Sequence, residues 1–408
     1  MTGPLDGTVV VDLTTALSGP YATLLLAGLG ATVIKIENPV GGDASRDNSP
    51  YVGASGLTQS RDHENDLSVS FLNRGRNKLT VTLDLKQPEA KQVFRDLVRR
   101  ADVVVENFAP GTAARLGVGY DDAAAVNPRI VYASISGFGS SADSSRKAFD
   151  AIIQALSGVM LTSGEEADDP VRFGLPIADM TAPVFAVIGV LSALVERQTS
   201  GRGQHVDVSM LGALTSLLAM ESFDATSRLG TPVRTGPTLD RLAPFGVFPA
   251  TDGWVAVCAH TDAFATALFT AMHLPELAAD DRFATRDARV RNGDALHDVV
   301  ANWTRTRSSD AIVEQLERAG VPAAPVRDPL AALRDPDVVR RGEVVPLVDP
   351  THGDTGLVGS GIPLHFSRSR VALDRPSGHL GEHNSDVYQE WLGYDDERMA
   401  ELRAARVI

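Results

Sequence analysis

Cysteine is almost absent: Cys258 is the single one in 408 residues. A lone thiol excludes an intrachain disulfide framework and any multi-cysteine metal site, and it fits a reducing cytoplasm. Its flanks, Val255-Ala256-Val257 and Ala259, read as core strand, so a packed thiol is expected. Positive charge is also scarce, with 38 Lys and Arg against 52 Asp and Glu, for a net −14. That balance argues against a nucleic-acid binder, which needs basic patches to neutralise phosphates. Any anionic ligand must therefore meet a local cluster of Arg and Lys. No basic start followed by an apolar run marks a signal peptide at the N-terminus. The longest apolar run, Ala182 to Val195, is short for a membrane span. Neither a Gly-x-Ser-x-Gly elbow nor a Walker loop occurs, which removes the commonest serine-hydrolase and kinase readings. With 43% hydrophobic residues the chain has ample core, and a soluble cytoplasmic enzyme without a membrane partner is expected.

The chain opens with a buried-strand pattern at Val9 to Leu13, a turn at Ser18-Gly19-Pro20, a helix from Tyr21 to Leu29 and a second strand from Thr32 to Glu37. This is a βαβ unit and predicts a parallel sheet, hence an α/β fold. Glu37 at the tip of the second strand resembles the ribose-binding acid of dinucleotide folds. The first turn, Thr14 to Pro20, lacks the Gly-x-Gly-x-x-Gly that lets a pyrophosphate approach the backbone, so a nicotinamide or flavin enzyme is not expected. Residues 39–77 read as an irregular surface excursion. Further strands are expected at Leu79 to Leu83, Val103 to Glu106, Ile130 to Ser136 and His205 to Ser209, with a helix from Pro88 to Arg100. Strand ends that run into Gly, Asn and Pro turns build the edge where open α/β sheets bind ligands. A helix is expected from Leu211 to about Ser227, and then the text changes character. Residues 223–335 read as a smaller α+β domain with a hairpin across Thr251-Asp252-Gly253. It separates a first large-domain part, 1–222, from a C-terminal return, 336–408, whose last helix spans Asp396 to Ala405.

One carboxylate stands out. Gly174-Leu175-Pro176-Ile177-Ala178-Asp179-Met180 is a turn that lifts Asp179 to the mouth of an apolar helix, Thr181 to Val195, with Pro183 in its first turn. Asp179 reads either as the N-cap of that helix or as a partly desolvated nucleophile or base in a cleft. Lys86, Arg115 and Arg146-Lys147 recur at the sheet's C-terminal edge and suit a polyphosphate ligand. His379-Leu380-Gly381-Glu382-His383 matches the spacing of one zinc-protease class, but Gly378 and Gly381 do not support the helix that this chemistry needs, so a turn and no metal are expected.

A series of motifs carries a resemblance: Pro4-Leu5-Asp6-Gly7, Gly19-Pro20, Ala31 to Glu37, Thr82 to Lys86, Glu106 to Gly111, Asn127-Pro128-Arg129, Ile135 to Gly139, Gly201 to Gln204 and Leu380 to His383. Together and in this order they resemble the class III CoA-transferases, the CaiB/BaiF family. The resemblance implies a Rossmann-like large domain with an inserted smaller domain, in an interlocked homodimer. It implies Asp179 as the catalytic carboxylate, moving CoA from an acyl-CoA thioester to a carboxylic acid through an aspartyl anhydride and an aspartyl-CoA thioester. No cofactor is permanently bound; coenzyme A enters as substrate. By family position CoA meets Leu17, Ser18, Asn38, Leu83, Lys86, Asn107, Phe108, Ala109, Arg115, Lys147, Ala148, Phe149 and Asp150. Leu17 stands where the formyl-CoA transferases have Gln and Asn38 where they have Arg, and no run of glycines precedes Trp254, which speaks against oxalate and formate as substrates. Racemases of the family place a His at the position of Phe149, and Phe cannot exchange a proton, so transfer is favoured over racemisation. A non-catalytic acyl-CoA-binding relative is the remaining alternative.

Overall fold

The computed structural model describes residues 2–140 and 146–408. Six parallel strands form the main sheet: β1 (Val9–Asp12), β2 (Thr32–Glu37), β3 (Lys78–Thr82), β4 (Val103–Glu106), β5 (Val131–Ser136) and β6 (His205–Ser209). Their spatial order is β3-β2-β1-β4-β5-β6, the doubly wound order of Rossmann folds. The strands are runs of Val and Ile buried on both faces, as a sheet covered by helices requires. The chain leaves β1 toward β2 and later resumes on the other side of β1 with β4. The crevice beyond the C-terminal ends of β1 and β4 is therefore the switch point at which such sheets bind ligands.

Helix α1 (Ser18–Gly28) starts three residues earlier than the sequence suggests. Ser18-Gly19-Pro20 is its first turn rather than a loop, because a first-turn N–H has no intrahelical partner and Pro loses nothing there. Gly19 is needed at that point: a Cβ would lie 2.3 Å from the Thr14 Cβ. Helix α2 (Val69–Arg74) belongs to the expected excursion, which is ordered. It also carries three short antiparallel strands, Tyr51–Gly53, Gly56–Thr58 and Leu67–Ser68. Helix α3 (Ala90–Arg100) buries Val93, Phe94, Leu97 and Val98 against the sheet, the one-face pattern expected of an amphipathic helix.

Helix α4 (Asp150–Ser157) precedes the long helix α5 (Ile177–Ser200), which packs on α1, β5 and β6 with Ala178, Ala182, Ala186, Val190 and Ala193 buried. At 24 residues α5 exceeds the expected run and is long and apolar enough to cross a membrane by length and composition. Because it begins at Ile177, Pro183 falls in the second turn and not the first, and it has no N–H to donate to the carbonyl of Asp179 four residues earlier.

The expected single helix after β6 is broken. Helix α6 (Met210–Leu218) ends in a tight turn where the Glu221 N–H bonds the Leu218 carbonyl, and a separate short helix covers Phe223–Arg228. The chain divides into two compact units. One comprises 1–157, 173–217 and 333–408; the other comprises 158–172 and 218–332. The second unit holds the hairpin β7 (Phe245–Ala250) and β8 (Gly253–Cys258), joined by β9 (Ala323–Pro325), over a core that includes Val255, Val257, Leu268 and Trp303. Cys258 sits half-buried on β8, where burial raises its thiol pKa. Residues 158–172, which the sequence places in the large domain, are tied to this unit by the Gly236 N–H on the Gly164 carbonyl and by Arg234 on the Glu166 carbonyl.

In the C-terminal stretch a π-helix at Ser385–Trp391, absent from the sequence expectation, brings the Tyr388 hydroxyl 2.8 Å from the Thr82 carbonyl. The His379-to-His383 segment is a turn whose atoms are used structurally. The Glu382 carboxylate accepts the His379 N–H and His383 Nδ1 accepts the Thr80 N–H.

Candidate active site

The β1–α1 connection rests on a buried charge network. Asp12 is wholly buried and accepts the Thr14 N–H, the Thr14 and Thr23 hydroxyls and Lys78 Nζ at 3.1 Å. Lys35 donates to the Thr14 carbonyl and, at 2.8 Å, to Asp43. Burial alone would raise the Asp12 pKa, but Lys35, Lys78 and the two hydroxyls outweigh it and hold the carboxyl below its ordinary value. Asp43 is likewise held at about 2: burial opposes ionisation, and Lys35 and the Ser45 donors overcome it. Glu37, the acid at the tip of β2, is bound by Arg46 at 2.7 Å and is structural here.

This network fixes a strained loop. Ala16 lies in the left-handed region at φ 65°, uncommon for a residue with a Cβ. Its N–H is held by Asp43 and its carbonyl by Arg74. The Asn107 amide clasps Thr15 on both sides, accepting its N–H at 2.8 Å and donating to its carbonyl at 2.9 Å.

A cavity of about 310 Å³ opens at the switch point. Its walls bring together Leu17, Ser18, Asn107, Phe108, Ala109, Lys147, Ala148, Phe149, Asp150 and Asp179 from the expected site, with Arg146 beside them. The Ser18 hydroxyl is buried there without a hydrogen-bond partner among the described residues, an acceptor or donor that a ligand can satisfy. Arg146 lies over the Phe138 ring at 3.7 Å. Gly137 allows the 146–150 segment to approach, since a Cβ would fall 2.1 Å from that of Ala148. A neighbouring cavity of about 160 Å³ gathers Asn38, Leu83 and Lys86, and shares Thr15 and Phe108 with the first. Arg115 lines neither: it is exposed and donates to the Thr112 hydroxyl, so the structure leaves it apart from the other expected contacts.

Asp179 is not the N-cap of its helix. It sits inside the first turn of α5, and Asp150 does the capping: its Oδ1 accepts the N–H of Ala178 at 2.9 Å and of Asp179 at 3.3 Å. Gln154 completes the clasp, donating to Asp150 and to the Leu175 carbonyl while accepting the Phe173 N–H. The Asp179 carboxylate is thereby left without a hydrogen bond or ion pair among the described residues. Burial raises its pKa, the negative Asp150 adds to this, and Arg74 partly offsets both, leaving Asp179 at about 6. Arg74 comes from the excursion and was not legible as a site residue in the sequence. The nearest signal is Ser68, which caps α2 and makes Arg74 its last residue.

The sequence model described as CoA-transferase family III matches residues 5–384. This chain belongs to that family. Among curated relatives, this CoA-transferase is 34% identical to the succinyl-CoA--D-citramalate CoA-transferase of Chloroflexus aurantiacus, over 99% of this chain and 98% of the relative. It is 37% identical to the acetyl-CoA:oxalate CoA-transferase of Acetobacter aceti, over 95% and 96%. A solved CaiB/BaiF family protein from Brucella suis superposes on the CoA-transferase with a TM-score of 0.81 at 32% identity, covering 96% of this chain and all of that one. The α/β architecture and parallel sheet of the CoA-transferase agree with that structure.

Proposed function

We propose that this CoA-transferase moves CoA between an acyl-CoA thioester and a carboxylic acid by covalent catalysis at Asp179. The observation that carries the reading is one desolvated, unpaired carboxylate at the rim of a cavity whose other wall supplies Arg146 and Lys147. The Asp179 carboxylate attacks the donor thioester carbonyl; the C–S bond breaks and CoA leaves as thiolate, giving a mixed anhydride. The thiolate attacks the Asp179 carbonyl, releasing the donor acid and leaving an aspartyl-CoA thioester. The acceptor carboxylate reverses these two steps, and Asp179 is regenerated as the acyl-CoA product forms. The in-site nucleophile divides one difficult exchange between two carboxylates into easier steps.

At pH 7 a carboxyl with a pKa near 6 is mainly ionised, yet it is more basic than a solvated one and carries no hydrogen bonds to shed. The expected CoA contacts at Asn38, Leu83, Lys86 and Lys147 lie on the walls of the two neighbouring cavities, which supports CoA as their ligand. A racemase would need a second proton carrier facing Asp179. Phe149 is 73% exposed, and among the described residues no histidine lines this cavity. We further read the protein as a cytoplasmic, interlocked homodimer. The stripe Val184, Ile188 and Val195 on α5, with Ile188 53% and Val195 65% exposed, is consistent with coverage by a second chain.

Intact-mass spectrometry with a panel of acyl-CoA thioesters, followed by hydroxylamine trapping and peptide mapping, tests the mechanism. An adduct on the Asp179 peptide with at least one thioester is expected, and Asp179→Ala should form none and lose transfer by roughly 10⁴-fold or more. Full turnover by Asp179→Ala would overturn the proposal, as would α-proton exchange on branched thioesters without any adduct.

A further inference from the structure

Beside Pro176 and Met180 lies a cavity of about 370 Å³ whose lining includes just one of the expected CoA contacts, Leu17. Leu17 lines both this cavity and the switch-point cavity. Pro176 and Met180, which bracket Asp179 in sequence, line one wall; Tyr21, Ser70, Asn73, Arg74 and Ser360 supply its polar side chains. Among the described residues Arg74 is the sole charged one on these walls.

Arg74 is half-buried, and desolvation depresses the pKa of its guanidinium. Nε bonds the Ser70 carbonyl and one terminal nitrogen the Ala16 carbonyl, both neutral acceptors. Among the described residues no carboxylate pairs with it; Asp43 and Asp179 act on it only from a distance. A partly desolvated cation without a counter-ion is unfavourable, and a guanidinium held by two backbone carbonyls is prepared for a carboxylate. The Tyr21 hydroxyl has no hydrogen-bond partner among the described residues, and burial raises its pKa, so it remains a neutral donor.

We propose that this cavity is the acid-binding site, and that Arg74 with Tyr21 holds the non-reacting carboxylate of a dicarboxylic acid whose other end meets Asp179. This rests on the transfer reading above and adds the substrate class to it. Arg74 lies beyond ion-pair distance of Asp179, so a carbon chain must separate the two carboxylates. Diacids of the succinate and glutarate kind satisfy this, whereas oxalate, whose carboxyl groups adjoin, does not. A monocarboxylate of equal length leaves Arg74 and Tyr21 desolvated and unpaired. A site built for a polar group discriminates strongly against the analogue that lacks it.

The test compares succinate with butyrate, and glutarate with valerate, as acceptors from one donor thioester. The wild-type protein should favour each diacid by roughly 100-fold or more in kcat/KM. Arg74→Gln should collapse that ratio, Arg74→Lys should restore part of it, and Tyr21→Phe should lower it less. The ratio isolates the distal contact, because any effect of Arg74 on the proton affinity of Asp179 acts on both acids alike. A wild-type ratio near one, or a ratio unchanged in Arg74→Gln, overturns the proposal. If no acid accepts CoA and no adduct forms on Asp179, the transfer reading falls. Titration calorimetry of wild-type protein with succinate and with butyrate then decides the site by itself. Succinate heat that is absent with butyrate and lost in Arg74→Gln upholds it; no succinate heat overturns it.

Discussion

Two aspartates, Asp12 buried at the end of β1 and Asp179 half-buried at the start of α5, share a side chain and little else. Asp12 has four hydrogen-bond donors, Lys78 among them, with Lys35 as a second cation at 3.9 Å, and its pKa falls; Asp179 has no donor among the described residues, and its pKa rises to about 6. The first arrangement makes a carboxylate inert and uses its charge to anchor the loop from Thr14 to Ala16. The second leaves the charge unsatisfied, as the nucleophile proposed above requires. Desolvation acts upward on both, so the partners supplied to each decide the difference.

Removing the anchor should do the most damage. Asp12→Ala leaves Lys35 and Lys78 facing one another without their shared anion and should cost about 3–5 kcal/mol, read from the midpoint of urea unfolding at constant slope. A loss below about 1 kcal/mol would mean that the network adds little to stability. The two sites should also respond oppositely to pH. Asp12, with its pKa depressed in the fold, contributes stability that is present above pH 4 and lost as the pH falls below it. Asp179, with its pKa raised, binds its proton more tightly folded than unfolded, so its contribution declines as the pH climbs from about 4 to 6. Asp179→Asn should therefore stabilise the protein by about 1–2 kcal/mol at pH 7.5, after allowance for partial solvent access, and by nothing at pH 4. Thermal melts across that range would show it; equal shifts at both pH values would contradict the raised pKa. The smallest effect concerns the cap. Asp150→Asn keeps an oxygen for the Ala178 and Asp179 N–H groups but removes the like charge, so the acid limb of the pH–rate profile should move below pH 6 with little change in melting temperature. A limb that stays in place would show that burial alone sets the Asp179 pKa.

Much of the fold was legible because its signals are local and repeated. The Val-rich strands and the turn after β1 announce a parallel sheet without help from distant residues. Short elements were not legible: strands of two or three residues, such as Leu67–Ser68, carry no periodicity. At the site, Asp179 could be singled out, but its bland reading as a cap could be dismissed only when Asp150, 29 positions away, was seen to occupy that role. Arg74 and Tyr21 were missed because nothing in their spacing ties them to Asp179; the tertiary fold alone brings them to walls beside it. Most of the residues that the resemblance implies line the two cavities, whereas Arg115 lines neither and bonds the Thr112 hydroxyl.

The Asp150 clasp has a thermodynamic corollary. The residue before it, Phe149, lines the switch-point cavity, so a ligand that shifts this segment alters the electrostatic field at Asp179. Coupling of this kind is reciprocal: whatever a bound ligand does to the proton affinity of Asp179, protonation of Asp179 does equally to the ligand's affinity. Through one carboxylate capping a helix, ligand and proton become each other's effectors in the pH range around 6.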